Sequence, residues 1–206
     1  MSDRREYRIA HLHDEVGLRM LMGRLPLTLA GFRHHRLARA VCHDACRRRD
    51  CFAVLALHDG EPAGYSFVVT DWARFRVWLL VRHPPLAAGI AFSTIATGLR
   101  RRRVAPAPKP VRPTTVSTER VDGPRWSDTG PGVAKVVYTA VLPEHRRLGL
   151  ASGLKRVYTQ HARDLGLIRL DARISRANTA SIELNRRSGW EIYPDGDHVL
   201  AVYRIT

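Results

Sequence analysis

Cysteine is scarce in this chain: Cys42, Cys46 and Cys51 are the only three in 206 residues. So few thiols exclude a disulfide-stapled secreted scaffold. Cys42 and Cys46 share a predicted helix face with His43 alongside. No second cluster completes a tetrahedral site and the CxxC spacing is missing, so no metal is expected. Negative charge is also short, with 19 Asp and Glu against 34 Lys and Arg, for a net charge of +15. The opening "MSDRREYRIAHLHDE" lacks an apolar core of signal-peptide length. Long apolar runs are missing too: Arg82 and the Pro84-Pro85 pair break the stretch Trp78 to Gly98, leaving too little to span a bilayer. These absences together predict a cytoplasmic protein with reduced thiols and no membrane span.

What is present is ordinary globular material. The chain suits one domain, residues 1–206, with room for an insertion and a proper core. Its positive charge attracts polyanions: nucleic acid, acidic lipid or a phosphorylated cofactor. The charge is mostly arginine, which genomic base composition also produces, so nucleic acid is not the expected main partner. "DEVGLRMLMGRL" and "HHRLARAVCHDACRRRD" carry apolar residues at helical spacing. "CFAVLALHDGEPAGYSFVV" reads as two strands around the turn Asp59-Gly60. The character then changes. An aromatic and arginine-rich piece leads into an apolar stretch, the run Arg100 to Arg103, and proline-spaced "VAPAPKPVRP" that fits neither helix nor central strand. Residues 71–132 are therefore read as an insertion and loop between two core strands.

Core pattern resumes with the strand "AKVVYTAV". A helix from about Leu148 to Leu165 follows, then the strand "LIRLDARI", a short helix over Thr179 to Arg187, and closing strands in "GWEIY" and "HVLAVYRI". Strand, helix, strand implies a parallel crossover. The turn at its start is "EHRRLGLASG", Glu144 to Gly153. The first amides of a helix point outward without internal partners, and the helix dipole adds positive charge. A pyrophosphate accepts several such N–H bonds at once. Gly149 lets backbone approach closely, and Arg146 and Arg147 add charge-assisted bonds at the rim. The other reading of these residues is a solvated helix start. The spacing matches neither the P-loop nor the dinucleotide fingerprint.

Downstream, "NTASIELNRRSGW" spans Asn178 to Trp190. Together the two segments resemble the GNAT superfamily of acyl-CoA-dependent N-acyltransferases. Its first signature, V-x-P-E-x-R followed by R/Q-x-x-G-x-G/A, is matched by Val141 to Arg146 and on through Ala151. Its second is matched by Asn178, Ser181, Leu184, Asn185, Gly189 and Trp190. The resemblance is close over residues 134–206, covers 7–70 only by order of elements, and omits the insertion.

The resemblance implies an α+β (α/β/α) fold of GNAT type: a mixed, mostly antiparallel central sheet with a parallel crossover, splayed central strands and an insertion. It implies acetyl-CoA as acyl donor. The amides of Arg146, Arg147, Leu148, Gly149, Leu150, Ala151 and Ser152 would cradle the pyrophosphate. The strand with Thr139 and Val141 would pair with the pantetheine arm like an added strand. Asn178 would hold that arm, Ser181 would lie on the same side, and Asn185 would sit near the thioester sulfur. A neutral amine would attack the acyl carbon directly, its carbonyl polarised by the Val141 N–H.

Many family members carry a tyrosine at the position of Asn185, and an amide cannot protonate a leaving thiolate. Tyr138 and Thr139 are the only polar groups of their strand near the expected centre, which makes Tyr138 a catalytic candidate. Tyr193 could reach the same pocket from the far strand, though it reads first as a core tyrosine. The acceptor stays open: the insertion suggests a small amine, an amino sugar or secondary metabolite. Long-chain or peptide N-acylation is a second reading, and a basic lipid- or nucleic-acid-binding module without turnover is a third. A homodimer is compatible with the sequence.

Overall fold

Asp59 and Gly60 both adopt left-handed backbone, φ 52° and 87°, the twist a two-residue hairpin needs. They join β4 (Cys51–His58) to β5 (Glu61–Val69). Nearly every residue of both strands is buried, as strands covered on both faces must be. The computed structural model describes residues 4–25, 28–29, 32–33, 47–48, 50–82 and 123–206. The predicted helix over "HHRLARAVCHDACRRRD", with Cys42, His43 and Cys46, and the arginine- and proline-rich part of the insertion lie outside them. Cys51 is buried in β4.

Before the hairpin come β1 (Arg5–Ile9), α1 (Glu15–Arg24) and a short ribbon of β2 (Thr28–Leu29) with β3 (Phe32–Arg33). After it, α2 (Trp72–Arg82) lies within the segment read as an insertion. Then follow β6 (Val133–Val141), α3 (Leu150–Asp164), β7 (Arg169–Ser175), α4 (Thr179–Arg187), β8 (Glu191–Asp195) and β9 (His198–Arg204). Seven strands form one sheet in the order β1-β4-β5-β6-β7-β9-β8. Only β6 and β7 are parallel neighbours, joined across α3; the other neighbouring strands are antiparallel.

Each face of the sheet is covered separately. On one, Leu18, Leu21 and Met22 of α1 and Phe75 of α2 pack on alternate residues of β4 and β5, among them Leu55, Tyr65 and Phe67. On the other, Leu150, Leu154, Tyr158 and Ala162 of α3 recur every four residues and meet Val54, Val68, Val136 and Leu170. Full burial of each large side chain there contributes about 1.5–3 kcal/mol. Gly166 ends α3 in left-handed backbone, φ 69°, its amide on the Arg163 carbonyl at 2.8 Å.

Gly153 marks the closest approach of α3 to the sheet. A Cβ there would lie 2.1 Å from Cζ of Tyr7 on β1. Gly153→Val must therefore displace the Tyr7 ring or the helix. The expected result is a loss of about 1–3 kcal/mol in urea unfolding. Wild-type stability in that variant would mean that Tyr7 swings away freely.

The strands part where the site begins. β6 pairs with β7 only from Val133 opposite Arg169 to Val136 opposite Ala172, yet β6 continues to Val141 and β7 to Ser175. β6 stays on β5 along its other edge, with a register shift beside Val137. Such a bulge bends its strand and raises the local twist, here away from β7. A wedge-shaped gap results.

Candidate functional site

A 3-10 turn, Pro143–His145, follows β6. It ends with the Arg146 amide on the Pro143 carbonyl at 3.3 Å. Arg147 (φ 64°) and Gly149 (φ 76°) then adopt left-handed backbone, which costs a residue with a Cβ about 1–2 kcal/mol. The alternation turns successive N–H groups to one side, an anion-binding concavity. Among the described residues, the amides of Arg147 to Ser152 find no hydrogen-bond partner; Gly153 is the first to bond, to Gly149 at 3.1 Å. Leu148 and Leu150 pack into the core below, so it is their backbone that faces outward. Arg146 and Arg147 are exposed at the rim. Glu144, just before the turn, is paired with Arg24.

Tyr138, Thr139 and Val141 all lie beyond the last β6–β7 pair. Their β7-facing edge borders the gap. The Thr139 hydroxyl is 2.9 Å from that of Ser66 on β5. Tyr138 stacks on Tyr65 with ring centroids 5.5 Å apart, and burial raises its phenol above the ordinary value. The Val141 carbonyl accepts from Arg146 Nε at 3.4 Å.

Asn178 caps α4, its Oδ1 accepting from the Ser181 amide at 3.1 Å. Asn185 is buried one turn further on. Its Nδ2 donates to the Ser181 carbonyl at 2.7 Å and its Oδ1 accepts from Lys155 Nζ. Both ends of the amide are engaged within the protein. Lys155, on α3, was not singled out from the sequence. It is 6% exposed, with Nζ 4.1 Å over the Trp190 ring and no carboxylate partner among the described residues. Burial pushes it down to about 7. Lys155 follows Leu154 directly and lies off the Leu150, Leu154, Tyr158 row, so local pattern does not mark it.

On the sheet face opposite α3, a cavity of about 510 Å³ opens next to the gap. Arg125 and Trp126, from the chain returning to β6, line it together with Arg173 of β7 and Tyr193 and Asp195 of β8. The reading of Tyr193 as a core residue is corrected here. Ile192 fills the core-facing position of this edge strand, and alternation turns Tyr193 to the cavity, its hydroxyl on Glu191. Beneath Trp126, Lys135 Nζ meets Asp171 Oδ2 at 2.7 Å, both fully buried.

Comparison with known proteins agrees with the sequence resemblance. Residues 116–190 match the model of the acetyltransferase (GNAT) family. A search of curated proteins gives no match. Among solved structures, the ribosomal-protein-S18-alanine N-acetyltransferase of Escherichia coli superposes with a TM-score of 0.57 at 11% identity, covering 98% of this chain and 95% of that one. The PaiA N-acetyltransferase of Thermoplasma acidophilum, in complex with coenzyme A, gives 0.53 at 10% identity over 99% of both chains. An aminoglycoside N-acetyltransferase, also with CoA, gives 0.58 at 14% identity over 93% of this chain and 90% of that one. The expected fold class holds: a mixed, mostly antiparallel sheet with one parallel pair. The resemblance to GNAT acetyltransferases is carried by the family model over residues 116–190, and the solved structures share the fold.

Proposed function

We propose that this GNAT-type chain transfers an acetyl group from acetyl-CoA to the amine of a small molecule. The observation that carries the reading is the row of unpartnered amides from Arg147 to Ser152 at the mouth of the β6–β7 gap. A pyrophosphate satisfies several of those donors together. Arg146 and Arg147 add charge at the rim. The pantetheine arm then lies along the open edge of β6 at Thr139 and Val141, with the cap residues Asn178 and Ser181 across the gap.

The acyl carbon reaches the part of the gap nearest the 510 Å³ cavity, which takes the amine. In the reaction the amine nitrogen bonds to the acyl carbon and the carbon–sulfur bond breaks. The sulfur leaves as thiolate, and the proton shed by nitrogen ends on the thiol. Positioning and a polarised carbonyl supply most of the acceleration. Asn185, held between Ser181 and Lys155, shapes the sulfur end and does not protonate it. We further read residues 1–206 as one domain in which the 71–132 segment builds the acceptor side, since Arg125 and Trp126 line the cavity.

The test is calorimetric. Arg146→Glu is expected to weaken acetyl-CoA binding about ten- to a hundredfold, the scale of a lost charge-assisted hydrogen bond. Apo thermal stability should hardly change, because Arg146 is exposed. Unchanged affinity would overturn the phosphate assignment of this turn.

A further inference from the structure

The cavity beside the gap carries an unbalanced charge. Arg173 Nε donates to Asp195 Oδ2 at 2.6 Å, which fixes the guanidinium and leaves Nη1 and Nη2 without a partner among the described residues. Arg125 also lines the cavity; its backbone amide is held by Asp128 at 2.7 Å, and no carboxylate pairs its side chain among the described residues. Two arginines thus line a space with one carboxylate, Asp195. Trp126 and Tyr193 add aromatic surface to the lining.

Arg173 also has the right address. It is the residue after Ala172, the last of β7 to pair with β6, so its Cα lies about 3.8 Å along the chain from the point of separation. Leu170, Ala172 and Ile174 face α3; Arg173 therefore faces the other side of the sheet, away from the phosphate-type amides at the helix start. Its guanidinium does not belong to the acetyl-CoA cradle. A planar fork whose Nη1 and Nη2 edge is spare fits a carboxylate or phosphate in bidentate fashion.

We propose that the acceptor is a small amine bearing an anionic group, a carboxylate or a phosphate, which Arg173 and Arg125 bind while the amine points to the β6–β7 gap. This rests on the acetyl-transfer reading above. It narrows the acceptor from amines in general to anionic amines, and it gives the returning end of the insertion a substrate-selecting role.

The experiment follows thiol release by the full chain with acetyl-CoA and matched acceptor pairs. One pair is an α-amino acid and its carboxamide; the other is an amino-sugar phosphate and the unphosphorylated amino sugar. The expected result is a kcat/KM at least tenfold higher for the anionic member of one pair, and that pair identifies which anion is used. Arg173→Ala, and separately Arg125→Ala on the exposed loop, should raise KM for the anionic acceptor about tenfold. Both variants should leave its neutral counterpart and acetyl-CoA affinity unchanged. Equal turnover of both members in both pairs, or equal losses for both members in each variant, would overturn the proposal. So would acetyl-CoA binding without thiol release from any of the four acceptors. Failure to bind acetyl-CoA at all would instead overturn the parent reading.

Discussion

Asp171→Ala is expected to destabilise the protein by about 3–5 kcal/mol, the cost of leaving a buried cation without its partner. Lys135 Nζ and Asp171 Oδ2 are 2.7 Å apart and both side chains are fully buried. The same carboxylate accepts from Arg169 Nε and Nη2, each at 2.8 Å. Without it, Lys135 keeps only the Trp126 face, 5.0 Å from Nζ, and Arg169 keeps Asp128 at 3.3 Å. Burial already pushes Lys135 below the ordinary lysine value and Asp171 holds it up against that, so the variant answers in part by shedding the lysine proton.

The effect is large against a domain stability of about 5–15 kcal/mol, and it reaches function. Lys135 lies opposite Asp171 in the β6–β7 register, one pair before the strands part. The ion cluster therefore pins the apex of the gap, and acetyl-CoA affinity should fall with stability. Urea unfolding of Asp171→Ala checks the first claim. The double variant Lys135→Met, Asp171→Leu should recover most of the loss, because it removes both charges together. A single-variant loss below about 1 kcal/mol would show that the cluster is not an obligate pair.

Neither of the buried lysines could be found from local pattern, and the reason is physical. The hairpin at Asp59-Gly60 and every element from residue 133 onward were legible because turn chemistry and apolar period are local properties. The turn at the start of α3 was legible because glycine, arginine and a helix start stand together in sequence. Lys135 sits among apolar residues of a strand, and its partner Asp171 is 36 residues away. Lys155 meets Asn185 across 30 residues. Only the crossover and the α3–α4 packing bring these groups together. Tyr193 was misread for a related reason. Its strand is apolar enough to be core, but it lies at the sheet edge with one face turned to a cavity. Asp195 and Arg173 escaped notice because charged strand residues usually face water.

The Lys155 environment leads to an expected dependence of stability on pH. Among the described residues the buried amine has no counter-ion, and burial pushes it down to about 7, against about 10.4 in an unfolded chain. The folded value lies below the unfolded one. Between these limits the unfolded chain therefore holds a proton that the folded one has lost, and stability rises with pH. From pH 7 to pH 9 the gain is about 2 kcal/mol; below pH 7 both states are protonated and this contribution is flat. The range stops at 9 because burial raises the Tyr158 phenol strongly, and a tyrosine that keeps its proton only when folded lowers stability above about pH 10. Lys155→Met fills the same space without charge, at the cost of one donor to Asn185 Oδ1. It is expected to be about 2 kcal/mol more stable than wild type at pH 7, the relief of desolvation less one hydrogen bond. That advantage should fade toward pH 9, where the wild-type lysine is already neutral. Urea unfolding of the two proteins at pH 7, 8 and 9 measures this directly. A constant difference across the three values would mean that Lys155 does not titrate there, and that its contact with Asn185 and Trp190 holds a permanent ammonium.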